Sequence, residues 1–286
     1  LARGKLHVVW FKRDLRVTDH ASLADAARIA SERGEAVLPL YIVEPELWRE
    51  PDYAARHYAF LAEALETLRH DLARLGQPLV VRVGAVCAVL ADIVQSRGIA
   101  AIHAHEETGN SWTYARDRSV AAWCRERGIA FHEQPQSGVI RRLGNRNGWA
   151  RRRDGFMRRP LVAAPAALPA IAGLDPGALP APADLGLAPD PCPQRQAGGR
   201  AAALERLQGF LEERGAPYRA GMASPLTAFA ACSRISPHLA HGTLSMREAV
   251  QAAAVKRLAH QEDKRWRGAI SSFASRLSWR CHFMQK

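Results

Sequence analysis

Leu6-His7-Val8-Val9-Trp10-Phe11-Lys12-Arg13-Asp14-Leu15-Arg16-Val17-Thr18-Asp19 opens on six residues dominated by β-branched and aromatic side chains. A short apolar run that ends in a charged loop reads as a buried strand. Asp19 stands where a cap belongs, before a helix over 21–31 with Leu23, Ala26 and Ala27 inward and Gly34 as its stop. The alternation then repeats. Residues 36–43 form a second apolar run, and 54–75 place Leu61, Leu65, Leu68, Leu72 and Leu75 at helical spacings. Segments 79–83, 85–95, 100–105, 112–127 and 129–134 continue it, strand and helix in turn. The pattern predicts an α/β fold with a five-stranded, parallel, doubly wound sheet. Such sheets bind ligands beyond the C-terminal ends of their strands, where strand order reverses, which selects the 13–19 and 105–110 loops. No G-x-G-x-x-G follows the first strand, which argues against a nicotinamide-binding domain.

The length of 286 residues suits two domains. No apolar run approaches the roughly 20 residues of a membrane span, and no signal core precedes the first strand. A cytoplasmic, membrane-free monomer is the expectation. Cys87, Cys124, Cys192, Cys232 and Cys281 are scattered with no C-x-x-C pair, so each is expected to be a reduced, small buried hydrophobe. A net charge of +12 attracts polyanions, nucleic acid first among them, although an Arg- and Ala-rich genome composition also accounts for it.

Residues 141–159 hold eight arginines and one acid, Asp154, with Trp149 and Phe156 interleaved. Arg151, Arg152 and Arg153 are either phosphate contacts or part of a solvated basic connector. Residues 160–198 carry nine of the 17 prolines and read as an extended linker whose Leu and Ile side chains lie on a domain surface. From residue 199 onward the pattern is helical only. A helix over 201–214 stops at Gly215-Ala216-Pro217, Ser224-Pro225 opens another, and Ser245 with Glu248 forms a capping box. Trp266, Ile270, Phe273 and Leu277 form one apolar stripe near the end. The domains expected are 1–135, a basic segment and linker over 136–198, and 199–286. The chain begins at Leu1, and its last helical pattern still runs at Lys286, so it reads as part of something longer.

Ser233-Arg234-Ile235-Ser236-Pro237 places two hydroxyls and a guanidinium beside a proline that suits a helix start. This is either a phosphate cradle or an ordinary capped turn.

The first strand and its loop resemble the opening of the DNA photolyase/cryptochrome family: an apolar strand, Trp-Phe, a basic residue, Asp-Leu-Arg, and an Asp a few residues on. Residues 233–239 with Gly242, Leu244, Ser245 and Arg247 look like the family's flavin-phosphate segment. Leu277-Ser278-Trp279-Arg280, with Phe283, resembles its Leu-x-Trp-Arg helix. The resemblance spans the chain but covers only the first part of the family's helical flavin domain. It implies a Rossmann-like antenna domain, an incomplete FAD-binding all-α domain, an antenna chromophore of unknown identity, and damaged DNA as partner. Light-excited reduced flavin in such enzymes passes an electron to a pyrimidine lesion, so the cofactor does the chemistry and the protein orients and tunes it.

By the same resemblance, Tyr218, Ser233, Arg234, Ile235 and Ser236 surround the FAD phosphates and ribitol, with Cys232 where the family commonly has Thr. Phe273 matches an aromatic beside the flavin, and Arg280 an arginine near its ring. Trp279 matches the aromatic that stacks on a flipped lesion; packing in a helix stripe is the competing reading. Arg276 stands where dimer-repairing members have Glu, and a guanidinium accepts no hydrogen bond. Trp112-Thr113-Tyr114 replaces the Asn-Glu-Arg of folate-antenna members, leaving only Glu106 or Glu107 as a guess for the antenna carboxylate. A photolyase-type lyase, a cryptochrome-like photoreceptor without repair and a non-photochemical basic nucleotide-binding module all remain open. The chain alone is expected to be inactive and to hold FAD weakly.

Overall fold

In the computed structural model, which describes residues 5–285, the opening run is the central strand of the sheet. All six residues of β1 (Leu6–Phe11) are buried. It pairs in parallel with β2 (Ala36–Val43) and β4 (Ile99–His105), and β3 (Val80–Val83) and β5 (Ala130–Gln134) complete the order β3-β2-β1-β4-β5. Two apolar cores follow from strand alternation. Val9, Phe11, Val37 and Val43 meet α1 (Ala21–Arg33), the single turn α2 (Pro45–Trp48) and α3 (Ala55–Arg74) on one face. Val8, Trp10, Leu38 and Leu40 meet α4 (Val86–Ser96) and α5 (Ser111–Glu126) on the other. The sheet is doubly wound, as its pattern predicts.

One cap differs from the expectation. His20, not Asp19, caps α1, its Nδ1 accepting from the Leu23 N–H at 3.0 Å. Asp19 instead adopts a left-handed φ of 55° and holds Val162: its N–H donates to the Val162 carbonyl at 2.7 Å, and its Oδ1 accepts from the Val162 N–H at 3.2 Å.

The chain divides into two units, one running to Gln134 and including Val162–Gly199, the other comprising Pro135–Leu161 and the residues from Arg200 on. The proline-rich stretch thus belongs to the α/β unit. Leu168 and Leu185 are buried in one of its cores, and Ile171 and Leu174 pack on the other. Its backbone also covers the edge strand: the Val81 N–H donates to the Pro176 carbonyl at 2.8 Å. A free edge invites unwanted pairing, so this cover has a physical role. Gly177, at φ 71°, makes the approach feasible, because a Cβ there would lie 2.2 Å from the Val81 carbonyl.

The helical unit comprises α6 (Trp149–Met157), α7 (Arg200–Gly209), α8 (Tyr218–Gly221), α9 (Pro225–Ala231), α10 (Ser236–His241), α11 (Met246–Ala259) and α12 (Lys264–Met284). The helix expected over 201–214 is α-helical to Gly209 and turns to a π-helix over Phe210–Arg214. The capping box forms in both directions: the Glu248 N–H donates to Ser245 Oγ at 3.0 Å, and the Ser245 N–H to Glu248 Oε2 at 2.8 Å. Arg200 also grips Glu248, joining the starts of α7 and α11. The stripe on α12 is core, with Ile270, Phe273 and Leu277 buried. Cys124 and Cys281 are buried as expected, whereas Cys87, Cys192 and Cys232 are only half-buried. Among the described residues no helix is long and apolar enough to cross a membrane.

Candidate functional site

The strand order reverses between β1 and β4, and the loops that leave these strands meet there. Asp14, fully buried, accepts the Lys12 N–H at 2.7 Å and His105 Nδ1 at 2.8 Å, with His20 Nε2 at 3.0 Å. Because His20 Nδ1 accepts from Leu23, its proton sits on Nε2, facing Asp14. Burial alone would raise the Asp14 pKa, but His20 and His105 reverse this and hold it well below the usual carboxylate range. Burial and then His20 push His105 down to about 3. By distance these three side chains could share a metal ion. Ligation through His20 Nε2 would require its proton on Nδ1, which already accepts from Leu23, so the set is a buried charge cluster in which His105 bonds Asp14 and His20 faces it.

The crevice mouth is an ion network that sequence reasoning missed. Lys12 pairs with Asp117 at 2.7 Å. Arg116 meets Glu44 at 2.8 Å, Asp117 at 3.0 Å and Glu107 at 3.4 Å, and Arg13 lies 3.5 Å from Glu107. Lys12 and Arg116 both stand over the Trp10 ring. Burial pushes Glu44 up to about 7 against the pull of Arg116. Glu107 is thus buried and committed to arginine. The partners come from the segments after β1, β2 and β4 and from α5, so no single segment carried the signal.

In the helical unit, residues 232–235 link α9 to α10, with Arg234 in the left-handed region at φ 57°. Ser236 is the first residue of α10 and Pro237 the second. Among the described residues the Ser233 and Ser236 hydroxyls show no hydrogen bond. The Arg234 guanidinium lies 3.6 Å over the Phe229 ring. Arg214 donates to the carbonyls of Cys232 and Ser233. Burial lowers the pKa of both Arg214 and Arg234, and repulsion from Arg206 adds to it. Free hydroxyls beside guanidiniums with no carboxylate partner fit a diphosphate, the anionic part of FAD.

Tyr218, Ile235 and Phe273 are buried. Tyr218 and Phe273 pack with Phe210 as an aromatic trio, ring centroids 4.7–6.1 Å apart, in the same core as Ile235 instead of lining an open face. Arg280 reaches the Leu239 carbonyl at 3.1 Å, fixing α12 to α10. Arg276 lies 4.1 Å over the Trp279 ring and donates to Met222 Sδ at 3.9 Å. Trp279 is 48% exposed, so core packing does not account for it. Arg151 and Arg152 are exposed on α6, whereas Arg153 is buried against Gly138 and paired with Asp154 at 2.7 Å.

The helical unit carries 22 Lys and Arg against seven Asp and Glu, a net +15; the α/β unit holds the other 18 and 21, a net −3, which together give +12. The basic character therefore belongs to the helices alone.

A family model described as DNA photolyase matches residues 7–144. Cryptochrome DASH of Natronomonas pharaonis is 28% identical over 229 residues, covering 72% of this chain and 47% of that protein. An uncharacterized 31.6 kDa protein of a Synechococcus strain is 28% identical over 298 residues, 96% of this chain and 98% of its own length. A class III photolyase of Agrobacterium tumefaciens superposes with a TM-score of 0.77 at 21% identity, over all of this chain and 60% of that one. The chain thus spans about half the Natronomonas relative and nearly all of the Synechococcus one.

Proposed function

Since this chain belongs to the photolyase/cryptochrome family, we propose that it supplies the antenna-type unit and the FAD-phosphate cradle of a light-driven flavoprotein that acts on nucleic acid. When bound, reduced FAD supplies a photoexcited electron. The chain's own residues do the rest. Ser233 and Ser236 donate hydroxyl hydrogen bonds to the diphosphate, and Arg234 balances its charge. Arg280 ties α12 to α10, which fixes the distance between the cradle and Trp279. Trp279 offers an exposed ring on which an extruded base stacks. The observation that carries the reading is the cradle itself, unbonded hydroxyls among uncompensated arginines, in the unit that holds all the net positive charge.

A second reading, a photoreceptor without repair, is favoured by Arg276, which has no acceptor for a pyrimidine N–H. FAD titration by fluorescence tests the cradle. Losing two hydroxyls at roughly 0.5–1.5 kcal/mol each makes Ser233→Ala/Ser236→Ala roughly 5- to 150-fold weaker. Equal affinity of wild type and variant refutes the cradle. Blue-light exposure of ultraviolet-damaged oligonucleotides with reduced flavin bound then decides between the readings: disappearance of dimers supports repair, and their persistence supports the photoreceptor.

A further inference from the structure

A second basic feature of the helical unit is separate from the flavin cradle. A cleft of about 500 Å³ is lined by Arg219 of α8, Arg257 in the last turn of α11, and Gln261, Lys264, Arg267 and Ser271 from the turn and α12. That volume suits a nucleotide-sized group. Four cations converge on it, and among the described residues none of the four has a carboxylate partner. Arg267 spends one N–H on the Gln261 carbonyl at 3.1 Å, and Arg219 Nη1 lies over α12 at Gly268, 3.8 Å from where a Cβ would be. α12 also begins with Lys264, Arg265 and Arg267 and no acid in its first turn, although that end of a helix favours negative charge. Asp263 already accepts from the Arg265 and Trp266 amides, so the side chains, not the backbone, are left to bind. Clustered cations with no carboxylate partner at an open cleft are suited to hold a phosphate.

The face of α12 that carries Lys264 and Arg267 continues through Gly268, Ser271, Ser275 and Ser278 to Trp279. Arg267 and Trp279 are twelve residues apart, about 18 Å along the helix at roughly 1.5 Å per residue. That is about five steps of a nucleic-acid strand at roughly 3.4 Å each. Between them α12 itself contributes only glycine and serine side chains to this face.

We infer that the cleft of Arg219, Arg257, Lys264 and Arg267 is a phosphate-binding site that grips the backbone of the same nucleic acid whose base reaches Trp279. This rests on the nucleic-acid reading above. The shared chemistry, a phosphate, could also come from a free phosphorylated ligand, so the test has two arms.

In the first arm, DNA affinity of the full chain is measured against salt concentration for wild type and for Arg257→Gln/Lys264→Gln. Both residues are exposed, and thermal melts check that the variant is folded. Each lost phosphate contact removes about 0.7–0.9 from the slope of log affinity against log salt, so the double variant loses about 1.5, equally for all sequences. Arg28→Gln/Arg74→Gln, exposed on the α/β unit, is the control and leaves the slope unchanged. In the second arm, inorganic pyrophosphate is titrated by calorimetry into wild type and the double variant. A slope loss confined to Arg257→Gln/Lys264→Gln supports the inference. An unchanged slope with pyrophosphate binding lost in the variant assigns the cleft to a free ligand and overturns it. No change in either arm overturns the site altogether. If wild type fails to bind DNA at any salt, the nucleic-acid reading itself falls, and the pyrophosphate arm still decides whether the cleft holds phosphate.

Discussion

Lowering the pH from 7 to 5 should weaken the α/β unit through one imidazole, His103. Its ring on β4 is buried between His7 on β1, Nδ1 to Nε2 at 3.0 Å, and His132 on β5, ring centroids 5.1 Å apart. The Glu35 carboxylate is held by the far nitrogen of His7 at 2.7 Å. Burial first, then His7 and His132, lower the His103 pKa from 6.5 to about 3. In the unfolded chain this imidazole binds a proton with a pKa of about 6.5. The folded state refuses the proton that the unfolded state takes up, so the stabilisation is complete above about 6.5 and is lost as pH falls toward 3. Between pH 7 and 5 the loss is about 2 kcal/mol. His103→Gln keeps a hydrogen bond to His7 but cannot titrate. Urea unfolding at both pH values, with hydrogen exchange of β1 and β4 amides as the local probe, should show the variant losing about 2 kcal/mol less than wild type. The same drop in both proteins would refute the assignment, because His105 and other groups would then carry the whole pH dependence.

Ser245→Ala removes one half of the capping box and should cost about 1 kcal/mol, measured by urea unfolding of the helical unit. Leu185→Ala deletes a fully buried side chain of the proline-rich stretch and should destabilise the α/β unit by roughly 2–5 kcal/mol, with the calorimetric midpoint as readout. Trp279→Ala should change stability by less than about 0.5 kcal/mol, as for an exposed surface residue, yet weaken binding of a lesion-bearing oligonucleotide by roughly 1–3 kcal/mol. A large fall in melting temperature instead would return Trp279 to a packing role.

What lay in single segments was legible before the fold was known. The run at Leu6–Phe11, the leucine spacing of α3 and the Ser245–Glu248 box each express a local period or cap, and each forms. The cradle residues 232–236 were likewise contiguous. What needed the tertiary structure was every pairing across distance. Asp14 meets His105 across 91 residues and Lys12 meets Asp117 across 105, so neither the buried triad nor the ion network has a signature in either partner's neighbourhood. The same holds for burial: Arg151, Arg152 and Arg153 are consecutive, and only the packing of α6 turns the third inward. The charge was countable at once, but its confinement to one unit depended on Pro135–Leu161 joining the helices and Val162–Gly199 returning to the sheet. Periodicity belongs to a segment, whereas ion pairs, clefts and charge fields belong to the surfaces that folding brings together.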